Sequence, residues 1–434
     1  MDFSTLCQQE NCYDIVAVES LHVRILSIAT THPRFEGDSE PAYVLALNQE
    51  LAGRGHHVTA LVPHAPGVAV NESIGNVRVR RFRYFLPASA QRLCYNGGIL
   101  PNLRKSWMAR VNLPFFLAAQ TAAVAREVAF GSYDVVQSHW LITSGIVGVL
   151  AARPARLPVV VTAHGSDVFT ENRLFKILDR WVLKRSCVCT VNSRRSGQLV
   201  SRLDPNARIE PVPMGVYPER HGKHLASVAI REAMGNGSPQ MLFVGRFSEN
   251  KGVPDLIRAL PIIATELPGV RLALVGFGPD EDRIRSTITT QGVEDRVTLL
   301  GRVPGGEMPA HMASADLLVL PSIRIEGLGV VLLEALASGT PVVGSDVGGI
   351  PDIIEDGVTG LLSRSQDPSD IAAKCVRMIK DNDLNRRTIE NGKRLVDDRF
   401  SWTRIGEALE AILLECVRDS RMSGSGRSGP RESV

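Results

Sequence analysis

Short apolar runs rich in β-branched residues alternate along the chain with longer stretches in which apolar residues recur at helical spacing. The pattern begins with an apolar run at 23–29, a helical stretch at 42–53 and a second apolar run at 58–62. This alternation is typical of a parallel sheet with helices on both faces. Further strands are predicted near 77–83, 134–137, 159–163, 187–191 and 208–212, with helices such as 115–129 and a buried helix near 141–152.

The pattern breaks between residues 211 and 240, where Pro, Gly, His and Ser indicate turns and a linker. A second alternation follows, and only helices are predicted beyond Asp370. We therefore expect an α/β protein with two Rossmann-like, doubly wound domains facing across a cleft. The second set of strands is predicted near 241–244, 271–275, 297–300, 315–320 and 341–344, and its helices near 253–266, 280–290, 307–313 and 331–337.

These patterns divide the 434 residues into successive segments. The predicted segments are an N-terminal extension at 1–20, a first domain at 21–216, a second domain at 217–398, a C-terminal helix at 399–417 and a tail at 418–434. The tail is rich in Ser, Gly and Arg and has few apolar residues, so it is predicted to be disordered.

Composition and charge narrow the class of protein. Hydrophobic residues make up 44% of the chain and charged residues 22%, as in globular proteins, and the net charge of +3 does not indicate nucleic-acid binding. The seven cysteines lack the spacing of metal ligands, and the chain starts without the features of a secretion signal. We therefore expect reduced thiols and a cytoplasmic location.

Two strand-to-helix loops of the second domain carry the clearest chemical signals, because ligands of such sheets bind beyond the carboxyl ends of the strands. The loop after the strand at 241–244 contains Arg246 and Lys251, five positions apart, before a predicted helix. Both cations suit a diphosphate, Arg through its planar fork and Lys as a point charge. Each cation alone is equally consistent with an ordinary surface residue, and only their combination favours a phosphate site.

The loop after the strand at 315–320 combines glycines with two acids. Gly327 and Gly329 allow backbone N–H groups to approach an anion, while Glu326 precedes the predicted helix and Glu334 lies one turn into it. Glu334 stands in an otherwise apolar run, where an unpaired carboxylate is costly. Acids beside phosphate-binding cations favour a nucleotide sugar, because carboxylates accept hydrogen bonds from sugar hydroxyl groups.

A series of short motifs carries a family resemblance. In the second domain they are Val-Gly-Arg-Phe-Ser-x-x-Lys-Gly from residue 244, Gly-x-Gly-Pro from 276, Gly-x-Val-Pro from 301, Glu-Gly-x-Gly-x-x-x-x-Glu-Ala from 326 and Gly-Thr-Pro-Val-Val from 339. In the first they are Leu-Ala-x-Arg-Gly-His-x-Val-Thr from 51, Val-Val-Val-Thr-Ala-His-Gly-Ser-Asp-Val-Phe from 159 and Pro-Met-Gly-Val from 213. From about residue 23 to 414 the chain resembles the retaining GT-B glycosyltransferases of family four.

The resemblance implies roles for individual residues. Arg246 and Lys251 would bind the donor diphosphate and stabilise its growing charge, Glu334 would hold the ribose, and Glu326 would face the donor sugar at the reaction centre. His164 would lie across the cleft, near the acceptor or the donor sugar. These expectations make Glu326, His164, Arg246 and Lys251 the candidate catalytic residues. The other expected donor-binding residues are Gly327, Leu328, Gly329, Gly276 and Arg302, and the other expected acceptor-side residues are Gly37, Asp38 and Asp167.

The resemblance also implies the reaction and a final helix that crosses back onto the first domain. An acceptor hydroxyl group would attack the anomeric carbon with retention of configuration, in glycan, polysaccharide or glycolipid biosynthesis. No Asp-x-Asp pair lies in a suitable loop, so no metal or other cofactor is expected. The chain departs from the family at Glu36-Gly37-Asp38, where many members have a Gly-Gly pair, and at Tyr217, where an Asp often follows the hinge.

The segment 78–115 contains no acidic residue and interleaves cations with aromatic side chains. Such a segment is consistent with peripheral contact with an anionic membrane, which would suit a lipid-linked acceptor, and equally with solvated edges of ordinary strands and helices. The cations are Arg78, Arg80, Arg81, Arg83, Arg92, Arg104, Lys105 and Arg110.

The motifs of two other classes of nucleotide-binding enzyme are missing from the sequence. The chain lacks the Gly-x-Gly-x-x-Gly loop of a nicotinamide dehydrogenase and the phosphate loop of a Walker-type NTPase. A nucleotide-sugar epimerase of GT-B fold, which needs no acceptor, and a non-catalytic sugar-nucleotide-binding protein stay open as alternatives.

Overall fold

The structure is a computed structural model, and it describes residues 22–35, 38, 42–95, 97–165, 167–169 and 172–425. The predicted N-terminal extension at 1–20, the acceptor-side candidate Gly37 and the last nine residues of the predicted tail, 426–434, lie outside the described residues.

The described residues from 24 to 211 form an eight-stranded sheet. Its strands are β1 (Arg24–Ile28), β2 (His57–Pro63), β3 (Asn71–Ile74), β4 (Val77–Phe82), β5 (Val135–His139), β6 (Val159–Ala163), β7 (Val188–Val191) and β8 (Ile209–Pro211). They lie in the order β3-β4-β2-β1-β5-β6-β7-β8, and all neighbours are parallel except the antiparallel pair β3 and β4. Strands β5 and β6 are buried throughout, as expected for parallel strands covered on both faces.

Helices cover both faces of this first sheet. They are α1 (Ala42–Gly53), α2 (Ile99–Lys105), α3 (Trp107–Phe130), α4 (Ile146–Ala155), α5 (Arg173–Leu183) and α6 (Arg194–Leu203). Apolar side chains of the sheet and helices form two buried clusters, one on each face.

The second half of the chain forms a six-stranded parallel sheet in the described residues. Its strands are β9 (Gln240–Val244), β10 (Arg271–Val275), β11 (Val297–Gly301), β12 (Leu317–Leu320), β13 (Val342–Ser345) and β14 (Leu361–Ser363), in the order β11-β10-β9-β12-β13-β14. Its helices are α7 (Val228–Ala233), α8 (Val253–Glu266), α9 (Glu281–Gln291), α10 (Met308–Ser314), α11 (Val330–Ala337), α12 (Pro368–Lys380) and α13 (Asn382–Leu395).

The last helix, α14 (Trp402–Ser425), returns to the first sheet and packs against α1. At the crossing the backbone N–H of Val216 donates to the carbonyl of Phe400 over 2.9 Å, and that of Trp402 donates to Val216 over 3.0 Å. Further along α14, Glu410 accepts from His56 over 2.8 Å. The two lobes are therefore joined by two chain segments that lie side by side.

Local boundaries differ from the sequence prediction in three places. Helix α3 begins at Trp107 rather than near 115, because the Ser106 hydroxyl caps it and Pro114 is accommodated inside. The segment predicted as a helix at 141–152 starts with a π-helical turn at Leu141–Gly145, followed by α4. The tail predicted to be disordered from 418 is helical to Ser425, and Arg421 pairs with Asp134 at 3.0 Å.

Candidate active site

The two loops with the predicted donor residues leave neighbouring strands of the second sheet. Arg246 and Lys251 follow β9, and Glu326 follows β12. The chain passes from β9 to β10 on one side and later returns to β12 on the other. At such a switch point the two loops diverge and leave a crevice beyond the strand ends, where ligands of open α/β sheets bind. Strand order therefore brings these residues together.

Lys251 and Glu326 form an ion pair in this crevice. Nζ of Lys251 lies 2.6 Å from Oε2 of Glu326, and the Ser322 hydroxyl donates to the same oxygen over 2.7 Å. Glu326 is only 9% exposed, so these two donors compensate a carboxylate that has lost most of its water. Arg246 is exposed on the same loop as Lys251.

Glycines allow the loops around the crevice to pack against each other. A Cβ on Gly252 would lie 1.9 Å from the carbonyl oxygen of Pro321, so at this point the backbones of the loops after β9 and β12 touch directly. A Cβ on Gly276 would lie 1.9 Å from the carbonyl oxygen of Gly245. Gly276, a predicted donor residue, therefore supports the loop of Arg246 through a contact that only glycine permits.

Helix α11 begins in the crevice and carries Glu334. Gly329 precedes the helix with φ +88°, and the first N–H groups of the helix lack partners within it, so they can bind an anion. Burial raises the pKa of Glu334 from 4.5 to about 7. Within the part of the chain that the structure describes, its carboxyl group has no hydrogen-bonding partner. Glu334 is partly exposed, so a ligand in the crevice can reach its carboxyl group.

Arg302 and Phe277 form a flat, exposed surface beyond the ends of β11 and β10. The guanidinium carbon of Arg302 lies 4.2 Å from the centroid of the Phe277 ring, which is 49% exposed. Stacked cationic and aromatic groups of this kind can pack against another flat ring.

The first lobe meets the second at Gly327. A Cβ on Gly327 would lie 3.2 Å from the side-chain nitrogen of Asn192 and 3.6 Å from the carbonyl oxygen of His164. Within the first lobe Asn192 donates to that carbonyl over 3.3 Å. An ion pair of 2.5 Å between Arg194 and Asp352 joins the two lobes. The structure therefore places the backbone of His164 beside the loop of Glu326.

His164 lies in a cluster of rings. Its Nε2 is 3.0 Å from Nδ1 of His139, and its centroid is 4.8 Å from that of Trp140 and 4.9 Å from that of Tyr43. Burial lowers the pKa of His164 to about 3, and burial and the neighbouring His164 lower the pKa of His139 well below its usual value. Both rings are therefore neutral near pH 7. Nδ1 of His164 has no partner among the described residues.

The acceptor-side carboxylates are engaged by neighbouring groups. Asp167 accepts from the backbone N–H groups of His164 and Leu141, each over 3.1 Å, and so holds the two loops together. Asp38 forms an ion pair with Arg34 at 2.7 Å. Asp167 therefore lies next to His164 and helps to fix the position of the His164 backbone.

A cavity of about 830 Å³ extends from His164 into the first lobe. We call it the apolar cavity, because Leu, Ile and Val side chains of α2, α3 and α4 dominate its lining. Members of this lining include Leu100, Leu113, Leu117, Ile146 and Leu150.

The cations of the segment 78–115 do not all lie on one surface. Arg81 is buried and pairs with Glu72, and Arg80 pairs with Glu127 at 2.5 Å. The reason is that side chains of β4 alternate between the two faces of the sheet. Cations and exposed apolar side chains do share a surface further along, which we call the α2–α3 surface. Its members are Leu100, Arg104, Lys105, Trp107, Arg110, Val111, Phe115 and Leu117.

Several residues of the site were missed by the sequence analysis. His139, Trp140 and Asn192 each lie at or just after the carboxyl end of a strand, which is a usable signal. Tyr43 lies in the first turn of α1 and gives no local signal. Among the described residues, no group of three His, Cys, Asp or Glu side chains is placed to hold a metal ion, and no helix has the length and apolar character to cross a membrane.

Two protein-family models match the chain. Residues 41–215 match the glycosyl transferase 4-like domain, and residues 230–395 match glycosyl transferases group 1. The chain is 30% identical to the D-inositol 3-phosphate glycosyltransferase of Nocardia farcinica, over 96% of this chain and 94% of that protein. It is 29% identical to the GDP-mannose-dependent α-(1-6)-phosphatidylinositol monomannoside mannosyltransferase of Mycolicibacterium smegmatis, over 71% of this chain and 83% of that protein.

Solved structures agree in fold. The sucrose-phosphate synthase of Thermosynechococcus elongatus has a TM-score of 0.73 at 22% identity and covers 93% of this chain and 100% of its own. The Anabaena protein HepE in complex with UDP and glucose has a TM-score of 0.69 at 20% identity, with 91% and 100% coverage. These structures have the GT-B architecture of two facing α/β domains.

Proposed function

This chain belongs to the group 1, family four glycosyltransferases of GT-B fold, and from that premise we propose how its residues divide the work of a retaining transfer from a nucleotide sugar to a hydroxyl acceptor. Arg246, Lys251 and the N–H groups of Gly327, Leu328 and Gly329 bind the donor diphosphate. Two cations and a helix N-terminus meet in one crevice, and each favours an anion there.

Glu334 binds the two hydroxyl groups of the donor ribose. The observation that carries this proposal is the position of Glu334 in α11, partly exposed and just beyond the helix N-terminus, where burial raises its pKa to about 7. A carboxylate that has lost part of its water without gaining hydrogen bonds is costly, and two ribose hydroxyl groups would supply those bonds. The exposed pair of Arg302 and Phe277 packs against the base at the other end of the crevice.

Glu326 and His164 act at the sugar. Donor binding draws Nζ of Lys251 from Glu326 towards the phosphate, which frees the Glu326 carboxylate to accept from a sugar hydroxyl group. The neutral His164 ring lies beside the donor sugar and the acceptor and does not transfer a proton. The cations stabilise the leaving diphosphate without a metal ion.

The relative from Mycolicibacterium smegmatis is named for transfer to a phosphatidylinositol monomannoside. We propose that this chain also works at a membrane surface, which it contacts through the α2–α3 surface. Arg104, Lys105 and Arg110 lie there beside Trp107, which is 70% exposed, and Phe115, which is 52% exposed. Cations attract an anionic surface, and aromatic side chains insert at its boundary.

The deciding experiment is a panel of UDP-, GDP- and ADP-sugars, tested for thermal stabilisation of wild type, Glu334→Ala and Glu294→Ala. Glu294 is an exposed acid of the same lobe and serves as the matched control. Stabilisation by one donor that falls in Glu334→Ala alone supports the proposal, together with release of free nucleoside diphosphate when a membrane extract supplies acceptor. Absence of donor binding, or conversion of the sugar without any acceptor, contradicts it.

A further inference from the structure

The apolar cavity does not suit a sugar acceptor. Its volume of about 830 Å³ lies within the range of roughly 300–1,000 Å³ that is common for organic ligands. Sugar hydroxyl groups facing Leu113, Ile146 and Leu150 would exchange water for groups that cannot hydrogen-bond, which is unfavourable. A hydrocarbon chain makes no hydrogen bonds with water, so its transfer into the apolar cavity is favourable.

The cavity has one polar end and one open apolar end. The polar end contains His164 and Thr30, at the proposed reaction centre. At the other end Leu100, Leu117 and Leu150 line the cavity and are also 45%, 38% and 50% exposed, so the cavity opens to the surface between apolar side chains. This shape fits a molecule with a polar head and a long apolar chain.

The opening coincides with the α2–α3 surface. Leu100 and Leu117 belong both to the cavity and to that surface, where Arg104 and Lys105 form the last turn of α2. A chain could pass from a bilayer into the cavity without crossing a polar surface, while the cations remain at the level of anionic head groups. Position, polarity and charge thus point to the same kind of ligand.

We propose that the acceptor is an amphiphile whose hydrocarbon chain lies in the apolar cavity and whose hydroxyl-bearing head lies beside His164. The proposal rests on the transferase function above and specifies its acceptor class. In the transfer, the head-group oxygen forms the new bond to the anomeric carbon, the bond from that carbon to the diphosphate breaks, and the hydroxyl proton leaves with the diphosphate.

Trp140 lines the cavity, so its fluorescence can report on the chain. We would titrate the full-length protein with 2-bromododecanoate and with 2-bromooctanoate, below the concentrations at which they form micelles. Bromine quenches a tryptophan that it touches, and in these probes it is next to the head group, which the proposal places beside His164 and therefore beside Trp140. Saturable quenching by the longer probe is expected. Each buried methylene contributes about fourfold in affinity, so the shorter probe should bind at least about tenfold more weakly. Trp140→Phe should remove the saturable quenching.

Leu117→Glu and Val111→Glu provide a matched pair. Both positions are exposed on α3 and receive the same charge, but of the two only Leu117 lines the cavity. Leu117→Glu should abolish saturable quenching and Val111→Glu should retain it. Thermal stabilisation by UDP, GDP and ADP is measured on all variants as a separate readout of the fold and of the donor site.

Equal loss in both glutamate variants, equal binding of the two probes, or quenching that persists in Trp140→Phe would each overturn the cavity proposal. A protein that binds the long probe but no nucleotide would instead refute the transferase function from which the acceptor class was inferred. The two failures are therefore distinguishable.

Discussion

The side-chain nitrogen of Lys251 lies 2.6 Å from the carboxylate of Glu326, although 75 positions separate the two residues in the chain. The crevice holds little water, so without its partner either charge would be left uncompensated. The ion pair therefore holds both side chains in position until a phosphate competes for Lys251 and a sugar competes for Glu326.

Lys251→Ala should lower kcat by about 10²–10³, since it removes a preorganised cation from the leaving diphosphate. Steady-state kinetics on the donor identified by the panel would measure this. Lys380→Ala is the control, because Lys380 also forms an ion pair with a glutamate, Glu266, but on the surface of α12. An equal loss in the two variants would argue against a role for Lys251 in catalysis.

Glu334→Gln should stabilise the protein without donor at about pH 8 and have little effect at about pH 4.5. The pKa of Glu334 is raised to about 7, so the folded state binds the proton more tightly than the unfolded state does. The Glu334 carboxyl therefore contributes most to the free energy of unfolding below its unfolded-state pKa, and this contribution is lost as the pH rises towards 7. One pKa unit corresponds to about 1.4 kcal/mol. Because Glu334 is partly exposed, we expect Glu334→Gln to raise the free energy of unfolding at about pH 8 by about 1–3 kcal/mol.

Urea unfolding at the two pH values would measure the effect of Glu334→Gln, with Glu294→Gln as the control. The same variant should weaken donor binding, so stability and affinity change in opposite directions. A gain of equal size at both pH values would show that the carboxylate is not desolvated in the free protein.

Activity should show no titration of His164 between about pH 5.5 and 8, because burial lowers the pKa of His164 to about 3 and keeps the ring neutral over that interval. The pH profile of kcat for wild type and His164→Gln would test this. Gln retains a polar group without a titrating ring, so the two profiles should have the same shape at different heights. A limb near pH 6.5 that disappears in His164→Gln would contradict a neutral ring.

Gly215→Ala should lower the stability by about 1–3 kcal/mol, as overpacking commonly does. Its Cβ would lie 2.8 Å from Cδ1 of Ile405, 2.9 Å from the Trp402 ring and 3.0 Å from the carbonyl oxygen of Phe400. Gly305→Ala is the control, since nothing lies within 4 Å of a Cβ there. Thermal unfolding of both variants would measure the effect, and equal midpoints would show that the crossing is loosely packed.

Binding to vesicles that contain phosphatidylglycerol should weaken at least about tenfold in the double variant Arg104→Glu/Lys105→Glu, since each cation contributes about 1 kcal/mol near an anionic surface. Co-sedimentation at low and high salt would measure it. Arg386→Glu/Arg387→Glu, an adjacent exposed pair on α13, is the control with the same charge change. Equal weakening would indicate a general effect of net charge.

The fold followed from the sequence because strands buried on both faces must be apolar runs and the helices between them amphipathic. The proximity of Lys251 and Glu326 also followed from the sequence, since both lie in loops that leave neighbouring strands, whereas their donor-binding roles stay predictions. The cluster around His164 did not, because Tyr43 and His139 reach it only through tertiary packing. Nor does a count of cations in the segment 78–115 reveal which of them are exposed, because only packing shows that Arg81 points inward to Glu72.

The side-by-side crossing at Val216 and Phe400 also has a consequence for engineering. The second lobe is in effect an insertion into the first, because it begins and ends at two points of the chain, Val216 and Phe400, that lie side by side. Helix α14 belongs structurally to the first lobe. A chimera that exchanges the second lobe between related enzymes should therefore join the sequences near 216 and again near 401, and keep 402–425 from the parent that provides the first lobe. A single junction near 216 would pair a foreign α14 with α1 and lose complementary contacts such as that between His56 and Glu410.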